Sequence, residues 1–105
     1  MENQKLDPDA IAAMLGELPG WSLLSGREAI ARRLEFKDFN AAFAFMTEVA
    51  GEANRLDHHP EWTNVWNRVD IVLTTHSARG LTKLDQSLAT FIQTSAEKHG
   101  VKPAT

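Results

Sequence analysis

The chain has 105 residues, 43% of them apolar and 24% charged, with a formal net charge of −3. That mixture fits one globular domain with a modest core. It contains no cysteine, which rules out disulfides, thiolate metal ligands and a cysteine nucleophile. Lysines and arginines are scattered and form no basic stripe, so direct nucleic-acid binding is not expected. No apolar run approaches the ~20 residues of a membrane span, and Met1-Glu2-Asn3-Gln4-Lys5 does not resemble a secretory signal. The expectation is a cytoplasmic protein without membrane association.

The elements follow in chain order. Residues 1–6 and 101–105 read as frayed ends, leaving a core of about 7–99 within a single domain, 1–105. Asp7-Pro8 pairs a helix cap with proline at the first helical position, and Ile11, Met14, Leu15 and Leu18 mark one face before Pro19-Gly20. A short strand over 21–24 and a turn at Ser25-Gly26 lead into a second strand over 28–36. There Ile30, Leu34 and Phe36 share a side opposite Arg33 and Glu35, and Arg32 breaks the alternation.

Asp38 is placed to cap a helix running from Phe39 to about Leu56. Phe39, Phe43, Met46, Ala50 and Ala53 recur at helical spacing, widened by Ala42, Phe45 and Val49, and read as its core face. Residues 61–75 read as strand, with Val69, Ile71 and Leu73 on one side. A turn near Trp66-Asn67-Arg68 would make this a hairpin; one long strand is the alternative. Thr82-Lys83-Leu84-Asp85 is a capping box opening a last helix with Leu84, Leu88, Phe91 and Ile92 inward and Gly100 at its close. The order α-ββ-α-ββ-α predicts a two-layer α+β domain, an antiparallel four-stranded sheet with the helices packed on one face.

Three of the four histidines, His58, His59 and His76, fall within a short stretch. Pro60 pushes His59 toward extended geometry, so the helix must end by His59 and the pair sits at a helix-to-strand junction. Adjacent residues in an extended segment point to opposite sides, so His58 and His59 are poor joint ligands, and no metal is expected. No Gly-x-Ser-x-Gly elbow and no glycine-rich phosphate loop is present. Proton transfer by histidine is the chemistry that remains, and three plain surface histidines are the alternative reading of the same residues. Trp21 reads as core. Trp62 and Trp66 read as core or interface residues, and His99 suits the dipole at a helix end.

The segment Leu56-Asp57-His58-His59-Pro60-Glu61-Trp62 resembles the signature of the pterin-4a-carbinolamine dehydratase family. Asn64-Val65-Trp66-Asn67, Thr75-His76, Gly80-Leu81 and Asp85 follow at similar spacing, and Phe36-Lys37-Asp38-Phe39-Asn40 and Phe45-Met46 are also similar. The likeness extends over roughly residues 21–96. One departure is Asn54, where the family usually carries an ionisable residue, often Glu.

The resemblance implies a cofactor-free hydro-lyase that expels the C4a hydroxyl of 4a-hydroxytetrahydrobiopterin as water, yielding quinonoid dihydropterin for aromatic amino-acid hydroxylases. It implies His58 and His76 as proton-transfer residues and His59 as a residue binding or orienting the pterin. Asp85 would orient a histidine, Pro60 shape the junction, and Trp62 or Trp66 wall the ring. Asp85 has a plainer role open to it, as the capping acid alone. A homo-oligomer, dimer or tetramer, is expected from the open sheet edge and the apolar stripe of the second helix. Two alternatives keep the fold: a dimerisation cofactor for a homeodomain transcription factor, and a role near molybdopterin metabolism.

Overall fold

The computed structural model describes residues 4–103. Seven main elements follow in order: α1 (Pro8–Gly16), β1 (Ser22–Leu23), β2 (Ile30–Glu35), α2 (Phe39–Leu56), β3 (Glu61–Val65), β4 (Arg68–Leu73) and α3 (Lys83–Lys98). The strands form one antiparallel sheet in the order β1-β2-β4-β3. Register sets the two faces. Ile30 pairs Leu73, Arg32 pairs Ile71 and Leu34 pairs Val69, so these residues share the inner face. Ile30, Leu34, Val69, Ile71 and Leu73 form one cluster with Ile11 and Met14 of α1, Phe45 and Val49 of α2, and Leu88 and Ile92 of α3. The helices therefore cover one side of the sheet, as the two-layer expectation required, and Arg33, Asp70 and Thr63 lie across the open side.

Arg32 explains its own break in the pattern. It sits on the inner face, where its guanidinium turns to Gln93 of α3. Gly20 makes room for it, since a Cβ there would lie 2.9 Å from Arg32 Nε. Partial burial lowers the guanidinium pKa, and Glu97 opposes that shift.

Local chemistry accounts for the helix ends. Asp7 and Asp38 accept from Ala10 N and Ala41 N at the starts of α1 and α2. Asp57, in left-handed geometry (φ 52°), closes α2, and His58 N donates to Ala53 O at 2.9 Å. This Schellman-like turn delivers the histidine pair. The residue strand 61–75 is a hairpin with Trp66 (φ 48°) at its tip. Asn64 Nδ2 donates across that tip to Trp66 O and Arg68 O, and Asn67 Nδ2 donates to Phe36 O at 2.8 Å. The two asparagines thus lock the turn and tie it to the entrance of α2.

Four expectations need correction. The second strand begins at Ile30 rather than at residue 28, because Ala29 N is turned to Arg27 O and Glu28 O accepts from the Thr74 hydroxyl, so neither joins the ladder. In α2 the buried stripe is Ala42, Phe45, Val49 and Ala53, while Phe39 and Phe43 are 43% and 54% exposed. The apolar arc of α2 is wider than the surface the sheet and α3 offer it, and at 100° per residue Phe39, Phe43 and Ala50 fall off its edge. In α3, Leu84 and Phe91 are only half-buried, whereas Asp85 and Ser95 are fully interior. The ends are also tied more closely than expected: Leu6 N donates to Leu81 O and Lys102 N to Glu35 O, each at 2.8 Å. Residues 1–3 and 104–105 of the expected frayed ends lie outside the described residues.

Candidate active site

The site is assembled where the C-terminus of α2 meets the N-terminus of α3. The capping box forms as the sequence pattern predicts: Thr82 accepts from Leu84 N, and Thr82 N donates to Asp85 Oδ2 at 2.9 Å. Asp85 does more than cap. Its Oδ1 meets His58 Nε2 at 2.7 Å, and its Oδ2 also accepts from Thr75 Oγ1 at 2.7 Å. Because Thr75 spends its proton on Asp85, the 2.8 Å contact between Thr75 and Thr82 hydroxyls has Thr82 as donor. Three donors therefore converge on one buried carboxylate, and His58 presents it with Nε2–H.

That arrangement selects the free nitrogen. His58 is 7% exposed, and its Nδ1 makes no hydrogen bond among the described residues. Nor is Nδ1 a sealed, unsatisfied atom; the only such side-chain atom among the described residues is Trp21 Nε1. Nδ1 thus reaches the surface as a proton acceptor backed by a buried carboxylate, a pairing suited to general acid–base work.

A second carboxylate–histidine contact follows closely in the chain, since Thr75, which bonds Asp85, directly precedes His76. His76, on a 3-10 turn after β4 (His76–Ala78), meets Glu61 Oε2 through Nε2 at 2.8 Å. Arg27 holds both oxygens of Glu61, at 2.9 Å each. Arg27 and His76 together pull the Glu61 carboxyl down to about 2. Glu61 and Pro60 also line an open groove of about 560 Å³ with Trp62, Thr63, Asp70 and Val72.

Residues 4–95 match the sequence profile of the family described as pterin 4 alpha carbinolamine dehydratase. The chain belongs to that family. It is 54% identical over 92 residues to a protein of Burkholderia orbicola provisionally named pterin-4-alpha-carbinolamine dehydratase, covering 88% of this chain and 90% of the relative. It is 53% identical over 97 residues to a provisionally so named protein of Rhizorhabdus wittichii, covering 92% of this chain and 100% of that one. The crystal structure of a transcriptional coactivator/pterin dehydratase from Brucella melitensis superposes with a TM-score of 0.87 at 46% identity, covering 89% of this chain and 99% of that one.

Within this dehydratase-family fold, the remaining candidates are spread unevenly. His59 is exposed, and its Nε2 donates to Asn54 Oδ1 at 2.9 Å, one turn back along α2. The Asn54 amide thus accepts from His59 without supplying a charge. Trp62 is half-buried against the core and borders the groove. Trp66 is 63% exposed at the hairpin tip, at the far end of β3 from Glu61 and so about 16 Å along the strand. Within one chain it is not brought to the histidines. His99 pairs with Glu48 at 3.1 Å between α2 and α3, away from this cluster. Sequence reasoning missed Thr75, Glu61 and Arg27. Thr75 and Glu61 adjoin motif residues, but Arg27 has no local signal. Among the described residues no group of three or more His, Cys, Asp or Glu side chains is arranged to hold a metal ion, and no described helix is long and apolar enough to cross a membrane.

Proposed function

We propose that this chain dehydrates pterin-4a-carbinolamine, 4a-hydroxytetrahydrobiopterin, to quinonoid dihydropterin by histidine acid–base catalysis. The observation that carries the reading is the buried Asp85–His58 pair with Nδ1 left free, set in the family's His-His-Pro signature. Hydroxide leaves poorly, so the C4a oxygen is protonated as the C–O bond breaks, and N5 gives up its proton as the C=N bond forms. The two transfers need two proton carriers, and His58 and His76 are assigned to them. His59 binds or orients the pterin, while Pro60 and Trp62 offer it an apolar border; Trp66 would serve only from a neighbouring subunit. The substrate then comes from a pterin-dependent aromatic hydroxylase, and the working form is a homo-oligomer.

The test generates the carbinolamine in situ with a phenylalanine hydroxylase and follows quinonoid dihydropterin above the spontaneous rate. Wild type is expected to accelerate dehydration, and His58→Ala and His76→Ala each to lose on the order of 10²–10⁴-fold of that gain. A wild type that only matches the background rate overturns the reading.

A second reading, a binding module for a transcription factor, draws on the coactivator half of the Brucella melitensis protein's name and on the exposed Phe39 and Phe43. It predicts partner binding that survives loss of the histidines.

A further inference from the structure

Glu61 has no part in the dehydration described above, yet two cationic or proton-bearing groups converge on its carboxylate. Arg27, in the connection between β1 and β2, donates Nη1 to Oε1 and Nη2 to Oε2, both at 2.9 Å. Such a fork fixes the carboxylate plane as well as its place. The remaining contact is His76 Nε2 on Oε2, at 2.8 Å.

His76 needs an anchor more than His58 does. Its side chain is 73% exposed, and no other described side chain hydrogen-bonds its ring. A carboxylate held down to about 2 is an acceptor only. In this contact Nε2 therefore carries the proton, and Nδ1 is the nitrogen left for a substrate. His58 shows the same polarity, with Nε2 on Asp85. The two leading histidines are thus anchored alike, one by an interior carboxylate and one by a surface carboxylate that an arginine immobilises.

We propose that Glu61, clamped by Arg27, is a positioning residue for His76, fixing the ring's orientation and its Nε2–H tautomer so that Nδ1 performs the proton transfer. The inference rests on the dehydratase reading for its kinetic consequence, but not for its tautomer consequence. The clamp lies at the surface, so its removal should leave the protein folded at neutral pH.

The experiment uses the full chain with Glu61→Gln, Arg27→Gln, His76→Ala and the double variant Glu61→Gln/His76→Ala. Side-chain ¹⁵N NMR reads the His76 tautomer, and the dehydration assay reads kcat and KM separately. Wild type is expected to show His76 mainly as Nε2–H, and Glu61→Gln a mixture of tautomers. The kcat of Glu61→Gln should fall by on the order of 10–100-fold with KM nearly unchanged, because a misaimed group costs rate rather than binding. Arg27→Gln should move both readouts the same way by less. In the double variant the Glu61 effect should vanish, since it acts only through His76. The inference is overturned if Glu61→Gln keeps the wild-type tautomer and kcat while His76→Ala is impaired. It is also overturned if the Glu61 effect persists undiminished without His76. If wild type shows no dehydration at all, the functional reading fails, and the NMR result still decides whether Glu61 sets the ring.

Discussion

His58 Nε2 lies 2.7 Å from Asp85 Oδ1, and both side chains are buried, the carboxylate completely. The contact joins the second residue after the end of α2 to the third residue of α3, so the acid that caps one helix also aims the side chain released by another. A capping acid is ordinarily a surface group worth about 1 kcal/mol. Here it is interior, and its loss affects folding and ring orientation together.

Asp85→Asn separates these roles from simple capping. An amide offers one acceptor oxygen where three donors converge, and its NH₂ would confront one of them. Stability is expected to fall by about 1–3 kcal/mol, seen as a lower denaturant midpoint with an unchanged slope. Dehydration should fall with His58→Ala. Thr75→Val removes one donor to Oδ2 but leaves His58 on Oδ1, so it should cost about 1 kcal/mol and retain most activity. Full activity in Asp85→Asn would reduce Asp85 to a cap.

Much of this was legible in the sequence for local reasons. Asp38, the helical period and the Asp57-His58-His59-Pro60 break bound α2 at Phe39–Leu56, and the Thr82–Asp85 capping box announced α3. Alternation in β4 placed Val69, Ile71 and Leu73 inward. Where partners are distant, sequence falls silent. Arg27 and Glu61 are 34 residues apart, and an ion pair leaves no periodicity. The buried arc of α2 was misplaced because apolarity marks what can be buried, whereas the neighbouring surfaces decide what is. Family resemblance named His58, His76 and Asp85, but which nitrogen of each ring is free required coordinates.

Asn67→Ala tests the hairpin lock without touching the histidines. Asn67 Nδ2 donates to the half-enclosed Phe36 carbonyl at 2.8 Å, and Phe36 N donates back to Asn67 O at 2.9 Å. Losing the side-chain bond leaves a carbonyl short of a donor. The expected cost is about 1 kcal/mol, read by thermal or chemical unfolding, with kcat per folded molecule unchanged. A large loss of activity at full stability would tie the hairpin tip to the site.

Acid should weaken the fold through two carboxylates. Arg27 and His76 hold Glu61 at about 2, and Lys98 and Ser95 hold Glu48 at about 2, each below the ordinary 4.5. As pH falls below 4.5 the unfolded chain takes up protons that the native groups still refuse. The unfolded state then binds more protons, and stability drops with pH. The contribution is present in full above about pH 5 and fades toward pH 2. Unfolding curves across that window should show the slope, reduced in Glu48→Gln and Glu61→Gln and damped by salt because both groups sit near solvent. An unchanged slope in both variants would remove these pairs from the account.

The rings of Phe39 and Phe43 stack with centroids 5.6 Å apart on a flank of α2 where, among the described residues, both side chains stay exposed. Adjacent exposed aromatics of this kind are one candidate interaction surface, and the β3 edge of the sheet is a second candidate for self-association. If the homo-oligomer is built on the aromatic flank, Phe43→Lys should lower the mass seen by light scattering at micromolar concentration. Monomer stability should move by no more than about 0.5 kcal/mol, since the side chain lies outside the core. A wild type that is already monomeric sinks the oligomer expectation. A Phe43→Lys variant that assembles like wild type would move the interface to β3, where a charged substitution at Thr63 or Val65 becomes the informative change.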